Sequence, residues 1–464
     1  MLFVIVVIGT VFLAGITFRK IILKGQWEFV IFFAALFFPF YITILSIVYT
    51  ATRSTLLLTA FQSIKELVIG FAVLSFFIFQ RDLARYPFRL ITLDWLFVAF
   101  YAFAFMFLVL PIGEAELINK VLYFKNMVLM GVFYFFGRNT RFSDDALKQL
   151  LHLMLGIGLL AFSFNLVEYA IDTHFQQFTG YALFNEQVNE VVPRGNYGLT
   201  WTFETQTLSK RFASFFADPL ELAISSLMLF SIALIMYLTT PRERAYPYLI
   251  LVGVTLGTLM FSSSRSSLAA LMVLALYIAF VFKLHKVLVF AGLFVVLFVL
   301  YFFYLASEDF QYFVIDTITF QNTSSVGHLL EWTAALESMI ASPFGIGLAT
   351  SGNVGAVDDS LRVGGENQFL VFGVQLGWIG MAMYLLILAI SIVYAYRAFS
   401  ELKNVQEARI AFVATSVKFA MIFPLFTSNA EKFFFVSLIS WWMVGYTVHA
   451  IHRQRLNATL DEKN

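Results

Sequence analysis

The stretch "LRVGGENQFLVFGVQLGWIGM" (361–381) joins a polar, glycine-containing segment to a long apolar run. After Gly364 and Gly365 come an acid and two side-chain amides, Glu366, Asn367 and Gln368. The run from 367 to 396 is long enough to cross a bilayer as a helix. The stretch therefore predicts the start of a membrane helix, with three polar residues at its N-terminal end.

Similar apolar runs recur along all 464 residues. Hydrophobic residues make up 60% of the chain and charged residues 13%, with a mean hydropathy of +0.83. A soluble domain carries about twice that share of charge. The chain has no cysteine, which excludes disulfides and thiolate-bound metals. These features predict an all-α, polytopic membrane helix bundle formed as a single domain over 1–464.

Thirteen membrane spans are predicted, each an apolar run bounded by polar or charged residues. They cover residues 2–18, 28–49, 64–80, 92–110, 121–136, 150–169, 219–238, 246–262, 267–282, 286–304, 367–396, 408–427 and 432–450.

Basic residues fall in alternate connections between these spans, and one orientation explains all of them. Lysine and arginine are enriched on the cytoplasmic side of membrane proteins, so the N-terminus is expected outside and the tail, 452–464, in the cytoplasm. The residues that define this pattern are Arg19, Lys20, Lys24, Arg81, Arg85, Arg89, Arg138, Arg141, Lys148, Arg242, Arg244, Lys283, Lys286, Arg397, Lys403, Arg409, Arg453, Arg455 and Lys463.

Two outer connections, 170–218 and 305–366, are long, and long loops are usually functional or disordered. Within the second, "GHLLEWTAALESMIA" (327–341) predicts an amphipathic helix. Its apolar stripe consists of Leu329, Leu330, Ala334, Leu336, Met339 and Ile340, with Glu331 and Glu337 opposite. We expect this helix to lie against the membrane surface or the bundle.

Basic residues on the outer side need a separate explanation. In "FSSSRSSLAALMV" (261–273), Arg265 lies among five serines at the outer N-terminus of the ninth span. Unpaired N–H groups, hydroxyls and a guanidinium form a site suited to phosphate. The alternative is that Ser264 caps the helix while Arg265 reaches to lipid headgroups.

A second group lies in "SKRFASFFADPLELA" (209–223), where Asp218 and Pro219 predict the N-cap and first residue of the seventh span. Capping does not account for Lys210 and Arg211, or for Arg194 upstream in the same loop. These three cations are candidate ligands for an anionic substrate.

The polar residues at the start of the eleventh span suggest acid–base chemistry. An acid near a helix N-terminus stabilises the helix by about 0.3–1 kcal/mol, and this alone would explain Glu366. It does not explain Asn367 and Gln368, which are candidate substrate-binding residues. An ionised Glu366 can orient and deprotonate a hydroxyl group. His328 is a second candidate base, although a lone histidine on such a helix is more often interfacial.

Together these motifs resemble the O-antigen ligase and polymerase superfamily of bacterial surface-polysaccharide assembly. The resemblance rests on Arg211 with "SFFADP", on "SSSRSSLAAL" around Arg265, and on "PFGIGLATSG" (343–352) followed by "ENQFLVFGVQLGWIG" (366–380). It covers roughly residues 200–395. It implies glycan transfer from undecaprenyl pyrophosphate at the extracytoplasmic face of the bacterial cytoplasmic membrane, without metal or other cofactor.

Two departures from the family pattern bear on the acceptor. Ligases of this family typically carry a histidine just before the asparagine of the last motif, where this chain has Glu366. This favours a polymerase, whose acceptor is a lipid-linked repeat unit, over a ligase, whose acceptor is lipid A–core. Many relatives carry an arginine shortly before the tryptophan, where this chain has His328 and Glu331 before Trp332.

The resemblance therefore implies that Arg211 and Arg265, with Arg194 and Lys210, bind the donor pyrophosphate. Expected partners are undecaprenyl-pyrophosphate-linked oligosaccharides, the bilayer and a chain-length regulator, with no nucleic acid. A lipid-linked glycan flippase would place charges at mid-membrane, whereas nearly all unexplained charges here are expected at outer helix ends. A dolichol-type or lipid-phosphosugar glycosyltransferase would carry an acid in the first outer loop, and "TATRSTLLLTAFQS" (50–63) has none.

The predicted orientation can be tested with a reporter that fluoresces only in the cytoplasm. Fused after residue 464, it is expected to fluoresce, because the tail lies on the basic side of the bundle. The same reporter inserted in the 170–218 loop is expected to stay dark. The opposite pair of results would invert the topology and move every candidate residue to the cytoplasmic side.

Overall fold

The computed structural model describes residues 2–79, 90–205, 208–308, 311–312, 315 and 323–461. Within these ranges the chain is helical, with no strand beyond one isolated bridge between Glu204 and Lys210. The helices are α1 (Leu2–Phe18), α2 (Val30–Phe37), α3 (Tyr41–Thr52), α4 (Thr55–Phe79), α5 (Thr92–Val109), α6 (Leu117–Asn139), α7 (Asp144–Ala170), α8 (Phe175–Thr179), α9 (Tyr181–Val188), α10 (Pro219–Thr239), α11 (Arg242–Ser262), α12 (Arg265–Val281), α13 (His285–Tyr304), α14 (Thr323–Ala341), α15 (Gln368–Glu401), α16 (Val405–Thr427) and α17 (Phe434–Asp461).

The predicted all-α polytopic bundle is confirmed. Among the described residues, ten helical stretches are long and apolar enough to cross a membrane. The three other predicted spans are helices that fall short of this standard: α6 carries Lys120, Lys125 and Arg138, and the apolar parts of α12 and α13 are shorter. The orienting residues Arg81, Arg85, Arg89 and Lys463 lie outside the described residues.

Two helix boundaries differ most from the sequence prediction, the start of α4 and the end of α17. Helix α4 begins at Thr55 rather than 64, so most of the predicted loop 50–63 is helical. Arg53 ends α3 in the left-handed region, and the Ser54 hydroxyl accepts from the N–H of Leu57 at 3.3 Å, which starts α4 at once. Helix α17 continues to Asp461, so the tail extends the last helix.

Contacts between distant segments gather the helix ends into two groups. At one end, the Tyr49 hydroxyl donates to Gln187 at 3.1 Å, and Arg211 Nε donates to the Ser262 carbonyl at 2.9 Å. We call this end, which carries the described parts of both long connections, the loop face. At the other end, Asn404 Nδ2 donates to Asp144 at 2.9 Å. The described orienting lysines and arginines lie towards this second end, as the alternation predicts.

Helix α15 is interrupted at Gly377, whose φ of 70° and ψ of −174° are not helical. The break frees backbone groups that the segment after Pro343 then satisfies. The N–H groups of Ile346 and Gly347 donate to the carbonyls of Val374 (2.8 Å) and Gln375 (3.2 Å), while the Trp378 N–H donates to Pro343 (3.1 Å). Because unpaired backbone groups are costly inside a membrane, this exchange fixes the long connection to α15.

The Gln375 side chain strengthens the same attachment. Its Oε1 accepts from the Ala349 N–H at 2.8 Å, and its Nε2 donates to the Tyr123 hydroxyl at 2.7 Å. The side chain is fully buried. It therefore links the 343–352 segment, α15 and α6 at one point below the loop face.

Replacing Gly377 by Ala is expected to destabilise the protein by about 1–3 kcal/mol, because its backbone conformation is one that only glycine adopts without strain. A Cβ there would also lie 2.3 Å from the Pro343 carbonyl oxygen. The matched control is Gly156→Ala in α7, where a Cβ meets nothing within 4 Å. Thermal unfolding in detergent should show a lower Tm for Gly377→Ala alone; equal melting of both variants would contradict the role of the break.

Candidate functional site at the loop face

Arg265 is positioned by the tight turn between α11 and α12. Ser263 ends α11 in the left-handed region, and the Ser264 hydroxyl caps α12 by accepting from the Ser267 N–H at 3.3 Å. Arg265 is then the first residue of α12 and is exposed. Among the described residues its guanidinium has no hydrogen-bond or ion-pair partner, so it remains available for an anion.

Arg211 lies beside Arg265, within electrostatic range of it. The Phe212 N–H donates to the Phe261 carbonyl at 3.0 Å, and Arg211 Nε donates to Ser262, which holds this part of the loop against the end of α11. The terminal guanidinium nitrogens of Arg211 have no partner within the described ranges. Burial lowers the pKa of Arg211 to about 10, with Asp218 opposing the decrease and Arg265 adding to it. The side chain is still charged at neutral pH, and we call these two residues the arginine pair.

The predicted helix start next to the arginine pair is confirmed. Asp218 is the N-cap of α10 and accepts from the N–H groups of Leu220 and Glu221 at 2.8 and 2.9 Å, with Pro219 following. Helices α10 and α12 therefore both begin at the loop face beside the arginine pair. Their N-terminal dipoles add positive potential there.

Glu366 and His328 come together although they are far apart in the sequence. Glu366 Oε2 lies 2.5 Å from His328 Nδ1, as an ion-pair contact rather than a directed hydrogen bond. Their side chains are 38% and 29% exposed, so both are reachable from solvent. A carboxylate next to an imidazole is an arrangement suited to removing a proton from a hydroxyl group.

Glu331 and Arg362 complete this group, which we call the acid–base cluster. Arg362 Nη2 lies 3.9 Å from Glu331 Oε1, and Arg362 Nη1 donates to Asn353 Oδ1 at 2.7 Å. Burial raises the pKa of the Glu331 carboxyl, Arg362 opposes the rise, and Glu366 adds to it. The Glu331 carboxyl thus holds a proton more readily than a glutamate in water does.

The predicted amphipathic helix exists as α14, and the face that it packs on α15 includes only Met339 of the predicted apolar stripe. Ala335 and Met339 are its buried residues and pack against Val374 of α15. Gly373 makes room, since a Cβ there would lie 2.5 Å from the Met339 side chain. The predicted apolar residues Leu329, Leu330, Leu336 and Ile340 are exposed, and Glu331 lies on the packed side with His328. The small Ala335 permits this approach, which brings His328 to Glu366.

Asn367 and Gln368, which were predicted to bind substrate, both have structural roles. Asn367 is the N-cap of α15 and accepts from the N–H groups of Phe369 and Leu370 at 3.0 and 3.2 Å. Gln368 is buried, and its Oε1 accepts from the Glu431 N–H at 3.3 Å. Because Asn367 already caps the helix, Glu366 is not required as the cap.

Lys210 and Arg194 are not joined to the arginine pair by any contact among the described residues. Lys210 Nζ lies 2.7 Å from Asp172 Oδ1 and over the Tyr197 ring, so its charge is already paired. Arg194 is exposed and has no described hydrogen-bond or ion-pair partner.

Lys432 connects the two groups and was not predicted as a site residue. Its Nζ donates to the Asn353 carbonyl at 3.5 Å, next to the Arg362 contact, and it is within electrostatic range of Glu221 beside Asp218. The sequence signal was its position as an unexplained cation on the predicted outer side. Nothing in the sequence indicated that it would lie between the arginine pair and the acid–base cluster.

The fold and these polar groups define a multi-pass helical membrane protein with a cationic and acid–base site at one end of the bundle. A family model described as O-antigen ligase matches residues 247–385, less than a third of the chain. This match supports the resemblance to the O-antigen ligase and polymerase superfamily for the motifs around Arg265 and over 343–352 and 366–380, whereas the Arg211 motif lies outside it. No curated protein shows a significant match to the chain.

Proposed function

We propose that the protein is a surface-polysaccharide polymerase of the bacterial cytoplasmic membrane, acting at the extracytoplasmic face. It would transfer a glycan from undecaprenyl pyrophosphate to a lipid-linked repeat unit. The observation that carries the proposal is the placement of Glu366 against His328 at the same helix ends as two arginines whose terminal nitrogens have no partner among the described residues. The basic residues at the opposite end of the bundle support the orientation.

The arginine pair is suited to the donor pyrophosphate. Guanidinium groups bind phosphate oxygens with two parallel hydrogen bonds, and both arginines have free terminal nitrogens within the described ranges. The N-termini of α10 and α12 add backbone dipoles directed at the same place. As the glycosidic bond to the phosphate breaks, these groups stabilise the negative charge of the departing pyrophosphate.

Glu366 is suited to activate the acceptor. An acceptor hydroxyl loses its proton to Glu366 while its oxygen attacks the anomeric carbon, and the bond from that carbon to the pyrophosphate oxygen breaks with its electron pair. Attack opposite the leaving group inverts the anomeric centre. His328 keeps the Glu366 carboxylate oriented through the Nδ1 contact. The atoms and charges balance within the two substrates and Glu366.

A glutamate in place of the histidine expected of a ligase favours a lipid-linked repeat unit as acceptor over lipid A–core. Both substrates of a polymerase are membrane-anchored, so the bilayer confines and orients them, which reduces the entropic cost of bringing them together. A chain-length regulator is the expected protein partner of such an enzyme.

Arg265→Lys tests the phosphate contact, because lysine keeps the charge but lacks the planar pair of donors. Losing one charge-assisted hydrogen bond should reduce polymer formation by about 10- to 100-fold. The control is Arg244→Lys at the opposite end of the bundle, which should leave chain length unchanged. Polymer formation is measured on glycan ladders at matched protein levels; normal ladders from Arg265→Lys would make Arg265 a headgroup anchor.

Glu366→Gln tests the proposed base. Loss of a general base is expected to slow transfer by about 10²–10⁴-fold. Thermal stability should change little, because Asn367 rather than Glu366 caps α15. Glu337→Gln, on an exposed face of α14, is the matched control. Purified protein with lipid-linked repeats should give single units for Glu366→Gln and ladders for Glu337→Gln; ladders from both would remove Glu366 from the mechanism.

A further inference from the structure

A second charged cluster lies on helices α4 and α6, away from the helix ends where the unexplained charges were predicted. Lys125 Nζ of α6 lies 2.9 Å from Glu66 Oε1 of α4, and Lys65 Nζ lies 3.9 Å from the same oxygen. Two lysines and one glutamate leave a surplus positive charge.

The depth of this cluster makes it unusual. Glu66 is eleven residues into α4 from Thr55, which corresponds to about 16 Å along the helix axis. The hydrocarbon core is about 30 Å thick, so a group about 16 Å from the end of a helix that crosses it lies inside the core. Charged side chains at that depth are costly unless they face water, protein or a polar ligand. Yet the Lys125 and Glu66 side chains are 41% and 32% exposed.

Buried acceptors in the cluster lack donors. Glu66 Oε2 and Asn126 Oδ1, one residue after Lys125, are buried and accept no hydrogen bond from any described residue. Leaving a buried acceptor unpaired costs about 1–3 kcal/mol. Hydroxyl or amide donors would satisfy these oxygens, and a negative charge would pair with the surplus charge of the lysines. A sugar attached to phosphate offers both.

A polar stripe on α4 leads from the loop face to the cluster. Thr55, Thr59, Gln62, Ser63 and Glu66 follow helical spacing on one side of α4, and all are exposed or half-buried. Beyond Glu66 the same side of the helix turns apolar, at Ile69, Gly70 and Val73. The stripe thus runs from the loop face into the bilayer and ends at the charged cluster. A path for a polar headgroup would have this form.

The cluster also adjoins the proposed active site. Lys65 Nζ lies 4.9 Å from the centre of the Phe434 ring and 4.3 Å from that of Tyr41. Phe434 is two residues from Lys432, which connects the arginine pair to the acid–base cluster. A lipid-linked group bound between α4 and α6 would therefore lie next to the site while its lipid chain remained in the bilayer.

We propose that the space between α4 and α6 that the Lys125–Glu66 ion pair crosses, which we call the cleft, binds the phosphorylated sugar headgroup of a second lipid-linked substrate. Lys65 and Lys125 would contact the phosphate, and Glu66 and Asn126 the sugar. This rests on the proposed function, in which donor and acceptor are both lipid-linked. The donor pyrophosphate occupies the arginine pair and the acceptor headgroup occupies the cleft. The chain then has two binding sites for polyprenyl pyrophosphates.

Native mass spectrometry of the full chain with undecaprenyl-pyrophosphate-linked repeat unit tests this directly. The wild type should bind two equivalents. Lys65→Met should weaken one of them about 10-fold or more, Arg265→Met the other, and the double variant both. Lys286→Met, at the opposite end of the bundle, should still bind two.

A second variant tests the same cluster if Lys65→Met does not fold. Glu66→Gln with Lys125→Gln removes the ion pair without changing net charge and should also weaken one equivalent. Two equivalents at wild-type affinity in every folded cleft variant would overturn the proposal. Displacement of the cleft equivalent by phosphatidylglycerol, an anionic hydroxyl-bearing lipid, would overturn it as well, because the cleft would then be an ordinary lipid site.

The binding result is independent of catalysis. If the wild type binds two equivalents and the cleft variants one, but no glycan is transferred, the cleft assignment stands and the proposed polymerase activity fails. If ladders form while the cleft variants bind normally, the polymerase stands and the cleft assignment fails.

Discussion

The exchange of backbone hydrogen bonds at the break in α15 is the constraint on which the site depends. A membrane offers no water to unpaired backbone groups, so a helix can be interrupted there only where other protein groups take over. Here the N–H groups of Ile346 and Gly347 do so, and the Gln375 side chain adds two further bonds. The long connection is thereby fixed at one end of α15. Helix α14, just before it, then packs on α15 with His328 facing Glu366.

The electrostatics of the loop face follow from this arrangement. The turn that starts α12 and the loop that precedes α10 meet through backbone contacts, which brings Arg211 to Arg265 without consuming their terminal nitrogens. The α15 connection contributes Glu366, Arg362 and Asn353, and Lys432 lies between the two halves. Cations suited to an anion and a carboxylate suited to accept a proton thus share one end of the bundle, as the proposed inverting glycosyl transfer requires.

Features with a local cause could be predicted from the sequence, and those that depend on distant contacts could not. Apolar runs predicted a helix at every expected span, and Asp218–Pro219 predicted the start of α10 because capping involves only neighbouring residues. The capping by Asn367 and the burial of Gln368 could not be predicted, since nothing local distinguishes a cap or a buried amide from a substrate ligand. The packing of α14 on α15 through Ala335 and Met339 could not be predicted either, because it depends on the close approach that Ala335 and Gly373 permit. Lys432 and Glu66 contact residues that are tens of positions away in the sequence, and such contacts leave no local sequence pattern.

Purified wild-type protein provides the decisive test of the proposal that this site joins two lipid-linked glycans. The protein is incubated in proteoliposomes with undecaprenyl-pyrophosphate-linked repeats, with lipid A–core supplied as a competing acceptor and chelator present. We expect a ladder of lipid-linked chains with inverted linkages, and one released undecaprenyl pyrophosphate for each bond formed. Glycan appearing exclusively on lipid A–core, or moved across the bilayer without any bond formed, would contradict it.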